Sequence, residues 1–289
     1  MNNVLVVGVN GMIGSALYAD FQSKQIPVYG TTHHPLKTNS EVFYLNLLDP
    51  PASWVFLDKK FDIVYLCAGV SKMAICEGNP ETTYEINVTK MFALIEHLSS
   101  TGSHIIYLST NQVFSGVVSY ATNATPYRPP NEYGRQKVIV ETLIQKHCKQ
   151  WTILRLTKVL SLQLPLFQNW MMRLKQELPI EAFHDMMMAP VALSQVITLL
   201  VTLGEKKITG CYQISGTIDI SYYDFAKKLA RRLGCLEKLV KPVSALNSGI
   251  KRSFLSSFTT LDCANTIALC GEIPLQPADV LNICLQNGI

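Results

Sequence analysis

The sequence predicts an α/β fold with a doubly wound parallel sheet and a smaller C-terminal lobe. Three observations support this fold class. Short aliphatic runs alternate with segments of helical periodicity over the first 160 residues, and the runs lack the polar alternation of half-exposed strands. The first run also stops at a glycine-rich turn that leads into a helix. Parallel strands with helices on both faces show this pattern, because right-handed helical crossovers join them.

The predicted elements follow from these patterns in chain order. Strands are predicted at 4–7, 27–31, 42–45, 61–67, 104–108 and 151–156. Helices are predicted at 12–24, 80–99 and 131–147. After about residue 160 the alternation becomes irregular, with helices predicted at 193–203, 222–233 and 278–286 and one strand near 211–215. We therefore predict a first domain over 1–160 and a smaller lobe over 161–289 that returns its strand to the sheet.

The composition narrows the functional classes. The 289 residues are 48% hydrophobic and 16% charged, with a net charge of +4, which is typical of a soluble globular protein. The densest basic run, at 227–232, recurs at helical spacing, so we expect no nucleic-acid binding. The apolar stretch 186–203 contains a proline and polar residues, which predicts a loop and a buried helix rather than a membrane span.

The cysteine pattern bears on metals and on cellular location. The eight cysteines include no Cys-x-x-Cys pair and no zinc-type spacing, so we expect reduced thiols and no metal site. No signal peptide is recognised before the first strand. These features predict a cytoplasmic protein. The sequence does not determine the oligomeric state, and a homodimer through exposed helices is the option that we consider.

The turn after the first strand has the spacing of a dinucleotide-binding site. Gly8 permits a tight turn, Gly11 lets the backbone approach a pyrophosphate, and Gly14 lets helix and strand pack closely. The helix N-terminus then presents free N–H groups and the positive end of its dipole to the phosphates. The predicted contacts are Gly8, Asn10, Gly11, Met12, Ile13 and Gly14. The first domain is therefore predicted to be an NAD(P)-binding Rossmann domain.

The end of the second strand bears on the choice of dinucleotide. An acidic residue there would bind the ribose hydroxyls of NAD, but no acid occurs before Glu41. Thr31, Thr32 and His33 occupy this place, followed by His34. Hydroxyls and imidazoles can accommodate a 2′-phosphate, so NADP(H) is favoured and NAD(H) stays open. The alternative is that the two imidazoles lie in a solvated loop.

Two further strand ends are expected to contact the cofactor. Asn46 or Asp49, after the third strand, could reach the adenine. Cys67, Ala68 and Gly69 follow the fourth strand, where small residues let the backbone approach a ligand. In open α/β sheets, ligands bind at these carboxyl ends of the strands.

Tyr133 and Lys137 suggest redox chemistry. Four residues apart on a predicted helix, their side chains share one face. An ammonium beside a phenol favours the phenolate, which predicts a lowered pKa for Tyr133. Such a tyrosine exchanges a proton with a carbinol oxygen. Because Tyr-x-x-x-Lys also occurs by chance on solvated helices, this prediction depends on the glycine turn upstream.

Residues that match a known family pattern are spread over nearly the whole chain. They are Gly8, Gly11, Gly14, Glu77, Pro80, Asn87, Ser109, Thr110, Val113, Phe114, Pro126, Asn131, Tyr133, Gly134, Arg135, Lys137, Glu141, Arg155, Pro190 and the run 210–216. On these residues the chain resembles the extended short-chain dehydrogenase/reductase family. Within that family it is most similar to the dTDP-4-dehydrorhamnose reductase group of nucleotide-sugar reductases.

This resemblance implies an NAD(P)-dependent reductase of a nucleotide-linked keto-sugar. It implies Thr110 as the hydroxyl that polarises the carbonyl and Tyr133 as the general acid. It implies that Lys137 binds the nicotinamide ribose and lowers the pKa of Tyr133. Ser109 is the competing hydroxyl, and alternation along the strand places only one of the two on the productive side. Asn87 orders the backbone or a water near the cofactor, or is an ordinary helix residue.

Three residue pairs depart from the group's pattern. The group typically has Asp-Tyr at 111–112, Val-Asp at 73–74 and Arg-Pro at 252–253, where this chain has Asn-Gln, Met-Ala and Arg-Ser. The positions expected to touch the sugar therefore differ, and the sugar stays open. The alternatives are an epimerase of the same family and a non-catalytic regulatory subunit that binds a dinucleotide. The missing carboxylates at 111–112 argue against a dehydratase.

Overall fold

A computed structural model describes residues 3–286. Its strands are β1 (Val4–Val7), β2 (Val28–Thr32), β3 (Val42–Tyr44), β4 (Ile63–Leu66), β5 (His104–Thr110), β6 (Trp151–Leu156), β7 (Lys158–Leu160), β8 (Ile180–Phe183), β9 (Met187–Met188), β10 (Pro190–Ala192), β11 (Gly210–Ile214), β12 (Ile220–Ser221) and β13 (Val240–Val243). Its α-helices are α1 (Met12–Ser23), α2 (Met73–Gly78), α3 (Pro80–Tyr84), α4 (Met91–Ser100), α5 (Glu132–His147), α6 (Pro165–Lys175), α7 (Leu193–Lys206), α8 (Tyr222–Arg232), α9 (Ala264–Cys270) and α10 (Pro277–Gln286). A π-helical segment, Glu85–Lys90, connects α3 to α4.

The central sheet has seven strands in the order β11-β6-β5-β4-β1-β2-β3. β1 pairs in parallel with both β2 and β4, and the β2–β3 and β4–β5 pairs are parallel as well. The chain builds outward from β1 to β3 and then crosses to β4 on the other side of β1. The strand order therefore reverses between β1 and β4, where ligands bind in folds of this kind. The predicted doubly wound α/β fold is confirmed.

Most predicted elements of the sheet are present, with shifted ends. β5 runs two residues further than predicted, so that Ser109 and Thr110 are strand residues. The single helix predicted at 80–99 is instead α3, the π-helical segment and α4. The sequence did not predict α2, α6 or α9. Helices α2 and α9 contain only six and seven residues, too few to show a sustained helical period.

The chain divides into two compact units of packing. The first comprises residues 3–113, 131–155 and 197–212, and the second 114–130, 156–196 and 213–286. The core of the first unit includes Leu5, Val64, Leu94, Ile105 and Ile144, all at most 1% exposed. The core of the second unit includes Phe167, Trp170, Phe225, Leu229 and Val280. The functions assigned to the two predicted domains stay predictions.

Residues 3–286 contain neither a membrane-spanning helix nor a cluster of metal-binding side chains. No helix in this range combines the length and apolar character needed to cross a membrane. The same range contains no group of three or more His, Cys, Asp or Glu side chains that could hold a metal ion. All eight cysteines are free thiols.

Candidate active site

The turn between β1 and α1 depends on the absence of side chains. Gly8 has a φ of +94°, and a Cβ there would lie 2.9 Å from atoms of Ala68. A Cβ on Gly14 would collide with the carbonyl oxygen of Gly8, so only glycine lets the helix approach the strand. A Cβ on Gly11 would meet only that same oxygen, at 3.7 Å. Gly11 therefore leaves room for a ligand close to the backbone.

The first turn of α1 has the properties of an anion site. Gly11 is the N-cap, and no side chain caps this helix. Its first N–H groups and its dipole therefore favour a negatively charged group. Met12 and Ile13 form the start of the helix, and Asn10 Oδ1 accepts a hydrogen bond from the Thr32 hydroxyl. The turn fits the diphosphate of a dinucleotide.

The end of β2 holds the glycine turn in place. Thr31 Oγ1 accepts a hydrogen bond from the Gly8 N–H at 3.1 Å. Thr32 Oγ1 accepts one from the His34 N–H, also at 3.1 Å, in addition to its bond to Asn10. Both threonines are buried. Their hydroxyls bond the protein itself, and the phosphate contact predicted from the sequence stays a prediction.

Basic groups follow these threonines on the surface. The rings of His33 and His34 lie 3.9 Å apart, and both residues are exposed. Desolvation and then the neighbouring His33 and Lys37 lower the pKa of His34. Lys37 ends the short 3₁₀ turn that follows. Sequence reasoning missed Lys37, although a basic residue four positions after His33 was a usable signal.

The candidates for the adenine contact bond each other. Asn46 Nδ2 donates to Asp49 Oδ1 at 2.9 Å, and Asn46 Oδ1 accepts from the Leu48 N–H at 3.1 Å. These bonds close the turn after β3. The structure thus gives Asn46 a turn-forming role, and its contact with adenine stays a prediction.

Asn87 fixes the backbone that follows β4. Its Oδ1 accepts from the Val70 N–H at 2.8 Å, and its Nδ2 donates to the Val70 carbonyl at 2.9 Å. Gly69 has a φ of +137°, and a Cβ there would lie 3.0 Å from Asn87 Oδ1. Burial raises the pKa of Cys67 to about 12, so this thiol is neutral. The segment Cys67, Ala68 and Gly69 therefore presents backbone groups and a neutral side chain at the carboxyl end of β4.

The amide of Asn87 also contacts Gln136, which sequence reasoning missed. Asn87 Nδ2 donates to Gln136 Oε1 at 2.8 Å, and Gln136 Nε2 donates to Thr83 Oγ1 at 3.0 Å and to Glu132 Oε1 at 2.7 Å. Gln136 is fully buried in α5. Asn87 lies in the π-helical segment, a geometry that is frequent at functional sites. A single glutamine on a helix carries no sequence signal for such a network.

Alternation along β5 separates the two candidate hydroxyls. Ser109 Oγ donates to Glu141 Oε1, and Glu141 forms a buried ion pair with Arg155 at 2.6 Å. The Thr110 hydroxyl instead lies near enough to the Tyr133 phenol to act on its pKa, and its Oγ1 accepts from the Gln112 N–H at 3.2 Å. Thr110 is therefore the hydroxyl that lies beside the phenol, as the preferred assignment requires.

Helix α5 places Tyr133 and Lys137 at the carboxyl end of β5. Lys137 Nζ donates to the Leu108 carbonyl at 2.8 Å. The same nitrogen lies 4.4 Å from the ring centroid of Tyr107 and 5.9 Å from that of Tyr133. The ammonium is therefore held between the strand and the phenol by the backbone and by ring contacts.

Burial dominates the protonation of this pair. Burial raises the pKa of Tyr133 well above its ordinary value, the nearby Cys76 adds to the rise, and the hydrogen bond with Thr110 acts against it. Burial lowers the pKa of Lys137 to about 8, and Glu141 acts in the opposite direction. The sequence predicted a lowered pKa for Tyr133, whereas desolvation has the larger effect here. A neutral phenol is the form that a general acid needs.

The start of α5 is fixed by side chains from two other segments. Asn131 is the N-cap, and its Oδ1 accepts from the Gly134 N–H at 2.9 Å. Its Nδ2 donates to Gln112 Oε1 at 2.8 Å. Glu77 Oε1 accepts from the Glu132 N–H at 2.9 Å. These contacts fix the first turn of α5, which contains Tyr133.

The chain is similar to curated proteins of two kinds. Methionine adenosyltransferase 2 subunit beta of Xenopus laevis is 25% identical over 252 residues, which are 83% of this chain and 75% of that protein. The probable low-salt glycan biosynthesis reductase Agl14 of Haloferax volcanii is 26% identical over 239 residues, which are 79% of each chain. One relative is thus named as a subunit and the other as a reductase.

Solved structures share the fold over the whole chain. The dTDP-4-dehydrorhamnose reductase of Yersinia enterocolitica has a TM-score of 0.86 at 20% identity, and that of Bacillus anthracis, in complex with NADP, has 0.83 at 18%. MoeE5 in complex with UDP-glucuronic acid and NAD has 0.81 at 17%. All three cover 100% of both chains. The resemblance to the dTDP-4-dehydrorhamnose reductase group is confirmed. The family model for the RmlD substrate binding domain matches residues 1–275, and the chain therefore belongs to that family.

Proposed function

We propose that this protein is an NAD(P)-dependent reductase of a keto-sugar carried on a nucleotide. The observation that carries the proposal is the meeting of Thr110, Tyr133 and Lys137 at the carboxyl end of β5. β4 alone separates β5 from β1, whose carboxyl end opens into the glycine turn. The turn that suits a diphosphate therefore lies at the same end of the sheet as the proton donor, where the parallel strands have their carboxyl ends.

The residues present fit a nicotinamide dinucleotide. The room at Gly11 and the uncapped start of α1 suit the diphosphate. Gly69 brings backbone to the β4 edge without a side chain. When bound, the reduced nicotinamide would supply the hydride that the carbonyl carbon receives. Lys137 is the residue that would hold the nicotinamide ribose, as the family resemblance implies.

The protein's own residues handle the proton. Tyr133, neutral at working pH, gives its phenolic proton to the carbonyl oxygen as negative charge develops there. Thr110 donates a hydrogen bond to the same oxygen. The ammonium of Lys137 then stabilises the phenolate that Tyr133 becomes, which offsets the cost of forming a charge in a buried place. A positioned proton donor of this kind contributes roughly a hundredfold to ten-thousandfold in rate.

NADP(H) is the favoured cofactor in this proposal. His33, His34 and Lys37 supply basic groups after β2, where a 2′-phosphate would lie. The structurally similar Bacillus anthracis reductase was solved with NADP, whereas MoeE5 was solved with NAD. The basic groups of this chain are the support for NADP(H). Thr31 and Thr32 contribute to the cofactor site indirectly, because their hydrogen bonds hold the glycine turn.

Binding and turnover test the proposal in sequence. NADPH and NADH are titrated into the protein while nicotinamide fluorescence is followed, and tighter binding of NADPH is expected. Keto-sugar nucleotides are then screened for NADPH oxidation. Tyr133→Phe should keep the affinity for NADPH and lose about a hundredfold or more of the turnover. Tyr44→Phe, an exposed tyrosine on β3, is the matched control.

The outcomes separate the parts of the proposal. Failure of both dinucleotides to bind would reject the cofactor site and the reductase with it. Full turnover by Tyr133→Phe would remove the phenol from the mechanism. Dinucleotide that stays bound through purification, with no net oxidation, would instead support an epimerase that retains its cofactor through the cycle.

A regulatory subunit is the second candidate function. The similarity to methionine adenosyltransferase 2 subunit beta, over 83% of this chain, favours it. Dinucleotide binding without turnover of any keto-sugar, together with a stably associated enzyme subunit, would support this candidate. The convergence of Thr110, Tyr133 and Lys137 favours the reductase, because binding a dinucleotide alone requires no proton donor.

Three other sequence predictions remain proposals. Residues 161–289 are proposed to bind the substrate, which rests on the family resemblance. The eight free thiols support a cytoplasmic, reducing environment. Self-association to a homodimer would be tested by light scattering.

A further inference from the structure

A path of hydrogen bonds connects the proposed proton donor to the carbonyl-binding hydroxyl. Thr110 Oγ1 accepts from the Gln112 N–H at 3.2 Å, and Gln112 Oε1 accepts from Asn131 Nδ2 at 2.8 Å. Asn131 Oδ1 accepts from the N–H of Gly134 at 2.9 Å. Gly134 follows Tyr133, whose phenol is the neighbour of the Thr110 hydroxyl at which this path ends. Each step joins neighbours in the structure, and the Gln112–Asn131 step joins segments 19 residues apart.

The amide of Asn131 is buried and engaged at both ends. Asn131 is 5% exposed, so its polar atoms depend on protein partners. Its Oδ1 caps α5, while its Nδ2 donates a hydrogen bond to Gln112 Oε1 and lies 3.5 Å from the sulfur of Met73. Gln112 sits in the 3₁₀ turn that directly follows β5. The contact therefore ties the end of the strand to the start of the helix.

Two of the residues around Asn131 were expected to have another role. Met73 and Gln112 occupy positions where this chain departs from the reductase group, and the sequence suggested sugar contacts there. In the structure both contact the same asparagine. The residues at these two departures therefore help to hold the start of α5.

We propose that Gln112 and Asn131 are positioning residues that set the separation between the Thr110 hydroxyl and the Tyr133 phenol. This inference rests on the proposed reductase function. Both hydroxyls must reach one carbonyl oxygen, and small misplacements of reacting groups lower rates steeply. The glycine turn shares none of these contacts, so dinucleotide affinity should not depend on the pair.

Amide chemistry permits a sharp test by double-mutant cycle. Gln112→Glu keeps an acceptor for the Asn131 nitrogen. Asn131→Asp keeps the oxygen that caps α5. The second carboxylate oxygen replaces the Asn131 nitrogen, and the Gln112 amide can rotate to donate to that oxygen. Each single variant should lower kcat by no more than about threefold. The double variant places two carboxylates face to face and should lower kcat by about tenfold beyond the product of the single effects.

The pH profile and the dinucleotide affinity distinguish positioning from general damage. Lowering the pH protonates one of the two carboxylates and restores a donor, so the double variant should recover relative to the wild type. The Kd for NADPH should stay within about twofold in all four proteins. Gln168→Glu, exposed on α6, controls for an added negative charge.

The possible results decide the inference separately from the reductase proposal. Single effects that multiply in the double variant, at every pH, would overturn the positioning role. Absence of turnover in the wild type would reject the proposed reductase, and crystal structures of the wild type and the double variant would then decide. A changed distance between the Thr110 and Tyr133 hydroxyl oxygens in the double variant supports positioning, and an unchanged distance overturns it.

Discussion

The proton-transfer cluster comprises Thr110, Tyr133, Lys137, Asn87 and Gln136. It lies, like the glycine turn, at the carboxyl ends of the central strands, but the two regions are built in opposite ways. The turn works because atoms are missing at Gly8, Gly11 and Gly14, so that backbone and ligand can approach. The cluster works because side chains are present and paired, as Asn87 and Gln136 are across 49 residues of sequence. A short run of residues is sufficient to specify the turn. The cluster forms only when distant segments come together in the folded chain.

This difference predicts opposite sensitivities. The turn should fail when a single atom is added, because the space is already filled by backbone. The cluster should fail when an atom is removed, because a buried donor or acceptor is left without its partner. Three predictions test this contrast, and the first has the largest expected effect.

Adding one methyl group to the turn should abolish most dinucleotide binding. In Gly14→Ala the new Cβ would collide with the Gly8 carbonyl oxygen, which forces α1 away from β1. Overpacking of this kind costs about 1–3 kcal/mol. If that strain falls on the bound state, the Kd for NADPH rises by roughly fivefold to a hundredfold. Fluorescence titration measures the change.

Gly78→Ala is the matched control for this substitution. A Cβ at Gly78 meets nothing within 4 Å, and Gly78 ends helix α2. Alanine is the better helix former by about 1 kcal/mol at both positions, so propensity alone would stabilise both variants. Equal NADPH affinity for Gly14→Ala and Gly78→Ala would show that the close approach at Gly14 does not matter for binding.

Removing one amide from the cluster should weaken both folding and turnover. Gln136→Leu keeps the volume but leaves Asn87, Thr83 and Glu132 without a shared partner. Such losses cost about 1–3 kcal/mol in the free energy of unfolding. We expect turnover to fall by roughly tenfold as well, because Gln136 no longer fixes the orientation of the Asn87 amide that holds the backbone at Val70.

An exposed glutamine provides the comparison for Gln136→Leu. Gln22 lies exposed on α1, and Gln22→Leu should change the free energy of unfolding by less than about 0.5 kcal/mol. Urea unfolding and steady-state kinetics on both variants give the two numbers. Similar small effects in the two variants would mean that the buried network contributes little.

The same contrast explains how much of the molecule the sequence could predict. The strand ending at Gly8 and the spacing of Gly8, Gly11 and Gly14 are local signals, and the structure places them as expected. Tyr133 and Lys137 also share a helix face, because their separation in sequence fixes that geometry. Local pattern was sufficient wherever backbone geometry alone decides the outcome.

Features that depend on tertiary contacts were not predictable in this way. The contacts of Asn87 with Gln136 and of Asn131 with Gln112 each join segments that are distant in the sequence. The direction of the Tyr133 pKa depends on burial, which a Tyr-x-x-x-Lys spacing does not reveal. The hydrogen bond from the Gly8 N–H to Thr31 Oγ1 likewise joins two strands that are separated in the sequence.

The smallest expected effect concerns the pH dependence that Lys137 gives to the cluster. Burial lowers its pKa to about 8, so the ammonium needed beside the phenolate is lost as the pH rises through that value. At limiting concentrations of dinucleotide and substrate, where the rate reports the pKa of the ligand-free protein, kcat/KM should be halved near pH 8 and fall further above it. In the unfolded chain this lysine titrates near 10.4, so between the two values the unfolded state holds more protons. The free energy of unfolding should therefore rise with pH across that window.

Lys137→Arg separates this lysine from other groups that titrate in the same range. A guanidinium stays protonated far above pH 8, so the alkaline fall in turnover should disappear even though the changed side chain lowers the maximum rate. The profile is recorded from pH 6 to 10 with NADPH binding measured at each pH. An alkaline fall that persists unchanged in Lys137→Arg would assign the titration to another residue.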